Sequence, residues 1–151
     1  MRLWHKELLP FLPDAQFKGQ LRELIAIMHD WRDKGATNHI LINRVMEFSK
    51  SELSVYFASY CNKYYKRYGN FPKNYYKYIR EFSEFCCGEK SCLTEYTKFY
   101  NNWHNKEYLR VCMANLYEKH IFGIGKSRIT DEEWARLCDG YEKITGEKYQ
   151  I

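Results

Sequence analysis

Between Asp14 and Asp33, Phe17, Leu21, Leu24, Met28 and Trp31 recur at intervals of four, three, four and three. That spacing lines one stripe of an α-helix, and no strand satisfies it, because a strand turns its side chains over at every second residue. The same pattern returns down the chain, cut by glycine and proline. Ser49 and Glu52 have the spacing of a capping box ahead of Leu53, Tyr56, Phe57, Tyr60 and Tyr64, which predicts a second helix stopping near Gly69. Phe71-Pro72 opens a third, with Tyr75, Ile79, Phe82 and Cys86 inward and Gly88 closing it. Ser91 to Trp103 reads as a short helix. His104 or Asn105 caps the next, along which Leu109, Cys112, Met113, Leu116 and Tyr117 repeat until Gly123 and Gly125 break it. Thr130 and Glu133 form a second capping box before Trp134, Leu137, Cys138 and Tyr141, and Gly146 ends that helix.

Two stretches resist the pattern. Leu8, Leu9, Phe11 and Leu12 surround Pro10 and Pro13, an irregular apolar lead rather than a regular helix, expected to pack on the core. Asn38 to Phe48 reads as a loop with a short element around Ile40 to Ile42. No stretch alternates as a strand would, so the reading is all-α, a single compact multi-helix domain over residues 1–151.

Charge is distributed unevenly. Between Leu53 and Arg80 stand six basic residues (Lys63, Lys66, Arg67, Lys73, Lys77 and Arg80) and no Asp or Glu, so with a net charge of +5 the rest of the chain sums to −1. The same stretch is rich in tyrosine. Cations that displace counterions from phosphates, beside rings that stack on bases, suit a nucleic-acid backbone; the bland alternative is tyrosines in the core and lysines solvating the helix backs.

Several function classes fall away. Six cysteines without a C-x-x-C pair or an apolar leader read as reduced thiols of a cytoplasmic protein, with no metal site expected. No apolar run reaches the ~20 residues that span a bilayer, so no membrane partner is expected. Gly125-Lys126-Ser127 has the ending of a phosphate loop, but His120 stands where its first glycine belongs.

On the first helix, Gln16, Gln20 and Glu23 share one flank of the apolar stripe, while Lys18, Arg22 and His29 share the other. Glu23 therefore belongs at the edge of the core. Ahead of it lie Met1-Arg2-Leu3-Trp4-His5, the Leu8-Leu9-Pro10-x-Leu12-Pro13 lead and Gln16-x-x-Gly19-Gln20-x-Arg22-Glu23-Leu24. With His104-Asn105-Lys106-Glu107-Tyr108-Leu109, Cys112 and Asn115-Leu116 downstream, these strings resemble the pyrimidine-dimer DNA glycosylase family, of the phage endonuclease V type. They cover about a third of the chain.

The resemblance implies an all-α DNA glycosylase and abasic-site lyase acting on double-stranded DNA with damaged or abasic sites, as a monomer and without a cofactor. In it the α-amine of the chain attacks the sugar, forms an imine, and the strand breaks by β-elimination. Glu23 stands at the family's essential glutamate, and Arg2 and Arg22 would grip phosphates near the lesion. With them, His5, Gln16, Lys18, Gln20, Lys63, Lys66, Arg67, Lys73 and Lys77 make the expected DNA-binding set. The chemistry is reasonable for an α-amine, whose pKa of about 7.7–8.0 leaves a useful neutral fraction where a lysine at about 10.4 has little. A carboxylate beside it stabilises the cationic imine and handles protons on the sugar. Arg2 is too bulky for removal of the first residue, so the expected nucleophile is the Met1 amine. Gln16 stands where the family has a histidine, and Ala26 where it has an arginine. The competing readings are a catalytically silent nucleic-acid-binding module of the same fold, and a protein-interaction domain with no DNA role.

Overall fold

Six α-helices and two 3-10 helices make up the regular structure of this computed structural model, which describes residues 2–35, 39–88 and 99–151. The α-helices are α1 (Asp14–Lys34), α2 (Ile40–Val45), α3 (Lys50–Tyr68), α4 (Tyr75–Phe85), α5 (Lys106–Phe122) and α6 (Asp131–Thr145). The fold is all-helical, with no strand among the described residues.

The helix starts follow the expected chemistry. Ser49 and Glu52 close a full capping box on α3, as Thr130 and Glu133 do on α6, each pair satisfying backbone N–H groups that the first turn leaves open. Asn105 rather than His104 caps α5, its side chain accepting from the Tyr108 amide at 2.9 Å.

Elsewhere the structure departs from the expectation. The proline-bearing lead is a 3-10 helix, Lys6–Phe11, with Pro10 inside it. Its φ near −65° suits that geometry, and the His5 side chain caps the start by accepting from the Glu7 amide. The short element expected around Ile40 to Ile42 is an α-helix, α2, and it runs on to Val45 because Ile42 and Val45, three apart, both turn inward. Of the inward set expected on α4, only Phe82 is buried; Phe85 joins it, while Tyr75 is half-buried, Ile79 exposed and Cys86 past the helix end. Residues 99–103 form bends and turns, and the rest of the helix expected over 91–103 lies outside the described residues.

The helices gather into two compact units, one of residues 1–3 and 21–100, the other of residues 4–20 and 101–151. In the first, Leu24, Ile27 and Met28 of α1 are fully buried, and α3 packs on α4 with the Phe57 and Phe82 rings stacked at 4.3 Å. His29 meets Glu81 at 2.9 Å, tying α1 to α4. Glu52 does more than cap: its second oxygen accepts the Tyr100 amide at 3.1 Å, where Tyr100 sits at a left-handed φ of 54°. In the second unit, α6 packs on α5 and on the 3-10 lead. Phe11 lies so close to Gly140 that a Cβ there would come within 2.4 Å of the ring, which is why a glycine stands in the middle of α6.

Candidate active site and nucleic-acid interface

The start of the chain is held by its backbone. In the first unit the Arg2 amide donates to the Glu23 carboxylate at 2.9 Å, and the neighbouring Leu3 side chain is fully buried. Glu23 itself is half-buried, at the margin of the α1 core stripe as its helical position required, and Arg22 beside it is exposed. Met1 lies outside the described residues.

The glutamine flank is more deeply buried than its polarity suggests. Gln20 is fully buried, and its side-chain oxygen accepts the Trp4 amide at 2.7 Å. Gln16 is 8 % exposed and donates to the Ser127 carbonyl at 3.1 Å; its own carbonyl oxygen is buried with no hydrogen-bond partner among the described residues. The buried stripe of α1 accordingly takes in Gln16, Gln20 and Ile27, while Leu21 and Trp31 move to half-buried positions. A buried backbone amide needs an acceptor, and a glutamine one helical turn inside the apolar face supplies it. Lys18 is exposed.

His5 is likewise interior. Its Nε2 meets the His104 carbonyl oxygen at 2.8 Å and its Nδ1 faces the Glu7 amide at 3.3 Å, while the two imidazoles stack 5.1 Å apart. His104 Nδ1 accepts the Lys6 amide at 2.9 Å. A ring nitrogen that accepts from a backbone N–H carries no proton, so these bonds specify neutral rings with the hydrogen on Nε2. Burial acts in the same direction, holding His5 below the usual imidazole range and His104 well below it. Both nitrogens of the His5 ring are thus engaged inside the protein. Gln20 likewise has its side-chain oxygen engaged in the interior, and Gln16 its amide nitrogen.

The basic segment divides in two. Tyr56, Phe57, Tyr60 and Cys61 belong to the core, and burial pushes the Cys61 thiol up to about 12. From Lys63 onward α3 turns outward: Lys66, Lys73, Lys77 and Arg80 are exposed, while Lys63, bonded to the Ser59 hydroxyl at 2.7 Å, and Arg67 are half-buried. Composition alone could not separate the two halves, because both are tyrosine-rich.

Among the described residues no group of three or more His, Cys, Asp or Glu gathers as a metal site would, and no helix is long and apolar enough to cross a membrane. Their cysteines, Cys61, Cys86, Cys87, Cys112 and Cys138, are unbridged; Cys92 lies outside the described residues.

The described residues thus form an all-helical fold in which the Arg2 amide donates to Glu23 and the segment from Leu53 to Arg80 is basic and free of acids. Residues 1–77, just over half of the 151-residue chain, match the family model of pyrimidine dimer DNA glycosylases. The chain belongs to that family, whose membership implies glycosylase function on damaged DNA. Comparisons with curated proteins and with solved structures returned no match.

Proposed function

We propose that the protein removes damaged pyrimidines and cleaves the strand through its own N-terminal amine, with Glu23 as the acid–base partner. The observation that carries this reading is the 2.9 Å hydrogen bond from the Arg2 amide to Glu23. The α-nitrogen of Met1 is three covalent bonds from that amide nitrogen, a reach of less than about 4 Å whatever its torsions. A nucleophile and a carboxylate held in one neighbourhood are what imine chemistry requires.

The neutral amine adds to C1′ of the damaged nucleotide as the base leaves with the glycosidic bond pair and picks up a proton. The nitrogen then loses a proton, its lone pair opens the C1′–O4′ bond, and O4′ takes up a proton as the cationic imine forms. Glu23 stabilises that cation and takes the proton from C2′. The electron pair released there forms a C1′–C2′ enamine. Its collapse expels the 3′ phosphate, which breaks the strand. Water then hydrolyses the imine and frees the amine. Half-burial favours Glu23 in this role, since a partly desolvated carboxylate interacts more strongly with a neighbouring cation than one in bulk water.

Arg2 and Arg22 grip phosphates beside the reacting sugar, with Lys18 one turn earlier on α1. Lys63, Lys66, Arg67, Lys73 and Lys77 supply the wider electrostatic hold on duplex DNA. His5, Gln16 and Gln20 are left out of this interface because their side chains are buried.

Borohydride reduces an imine to a stable amine, so it should trap the protein covalently on a duplex containing an abasic site. Glu23→Gln should lower strand cleavage by about 10²-fold or more while duplex binding changes little. Duplex binding without any trapped adduct would reassign the chain as a non-catalytic binding module.

A further inference from the structure

Between α3 and α4 the chain turns a sharp corner. Gly69 ends α3 at φ 75°, Phe71-Pro72 runs across the turn, and Asn74 begins α4 at φ 63°, a left-handed conformation that asparagine tolerates better than most side chains. The corner brings together rings that the core does not use. Phe71 and Tyr75 stack in parallel, 4.1 Å apart and 8° from coplanar. Tyr65 closes on Phe71 at 4.9 Å, and Tyr76 stands edge-on to Tyr75 at 5.3 Å.

These rings lie at the surface. Tyr76 is 81 % exposed, Tyr65 50 % and Phe71 36 %. Large apolar groups clustered outside a core mark a binding surface, whereas isolated ones do not. Its chemistry is set by its neighbours: Lys66, Lys73, Lys77 and Arg80 are exposed on the same segment, which contains no acid from Leu53 to Arg80. Such a field repels basic partners and draws polyanions.

We propose that this corner is a stacking site for unpaired bases, so that the protein holds single-stranded DNA as well as duplex. Rings already stacked on one another present the face that an unstacked base lacks, and the lysines follow the phosphates between successive bases. In a closed duplex the base faces are already occupied by their neighbours. The site thus favours a strand whose bases have left the helix, the form an enzyme creates when it exposes a nucleotide. The inference rests on DNA as the substrate class but not on the amine chemistry.

The test is binding of a lesion-free oligothymidylate carrying one 2-aminopurine, whose fluorescence falls when it stacks. Wild-type protein should bind it with quenching and a steep salt dependence. Tyr76→Ala and Phe71→Ala should each weaken binding about tenfold or more and relieve the quenching, while Tyr76→Phe retains both. Tyr76 is so exposed that its truncation leaves the fold intact, as a circular dichroism melt would record. Equal binding by wild type and Tyr76→Ala, binding without quenching, or no single-strand binding at all would overturn the proposal. Capture of an acidic protein through this corner with no single-strand binding would overturn it too. The oligonucleotide carries no abasic site for an amine to trap, so a failed borohydride trap and a failed stacking test are separate results.

Discussion

Two regions of the molecule invert the usual sorting of residues, and in opposite directions. Around His5, Gln20 and His104, polar side chains lie inside. At the corner between α3 and α4, aromatic rings lie outside. In the first region each of these side chains meets a backbone group: the Trp4 amide for Gln20, the Lys6 amide for His104, the Glu7 amide and the His104 carbonyl for His5. Burial there is the result of holding an irregular chain start in place. At the corner the rings pack on one another and stay in contact with water, an exposure that burial against a partner would relieve. The contrast teaches that a residue's polarity predicts its location poorly wherever the backbone is irregular or a partner is awaited.

Acid should break the first region and spare the second. The folded state keeps His5 and His104 neutral, with pKa values below the ordinary 6.5, so their contribution to stability is complete above about pH 6.5 and is lost as the pH falls toward the folded values. Each proton that the unfolded chain accepts and the folded chain refuses costs about 1.4 kcal/mol per pH unit in that window. Among the neighbouring charges Glu7 outweighs Lys6 at His5, whereas at His104 both His5 and Lys6 disfavour a positive charge. Thermal melts between pH 7 and pH 5 should show a progressive fall in Tm, and a His104→Asn variant should flatten it. A pH-independent Tm would mean that the folded rings take up protons as readily as the unfolded chain does.

A smaller effect is expected from Gln20→Leu, which matches the volume but leaves the buried Trp4 amide without that acceptor. The cost should be about 1–3 kcal/mol, read as a shift in the urea midpoint. Smaller again, Tyr76→Ala should move stability by no more than about 0.5 kcal/mol, since its ring is mostly in water. A large destabilisation by Tyr76→Ala would erase the comparison, for it would make the corner part of the core.

Much of the fold could be read from local chemistry. The capping boxes at Ser49 and Thr130 and the stops at Gly69 and Gly146 identified their helices, because a cap is satisfied within four residues and needs nothing from elsewhere. Glu23 at the edge of the α1 stripe was legible for the same reason, since helical phase places a side chain without reference to the rest of the molecule. The fate of the glutamine flank was not. Gln16 and Gln20 carry the same local signal as any solvated pair, and only the arrival of the Trp4 amide and the Ser127 carbonyl turns them inward.

Local spacing, caps and charge therefore defined which segments are helical, where the cations concentrate and which carboxylate borders the core. Tertiary packing decided which polar groups lie inside, that His5 is a structural ring, and which tyrosines of one continuous stretch face solvent. The reason is range: helix periods and caps act within a few residues, whereas burial depends on contacts such as His5 with His104, 99 residues apart. No pattern within one segment encodes a partner that distant.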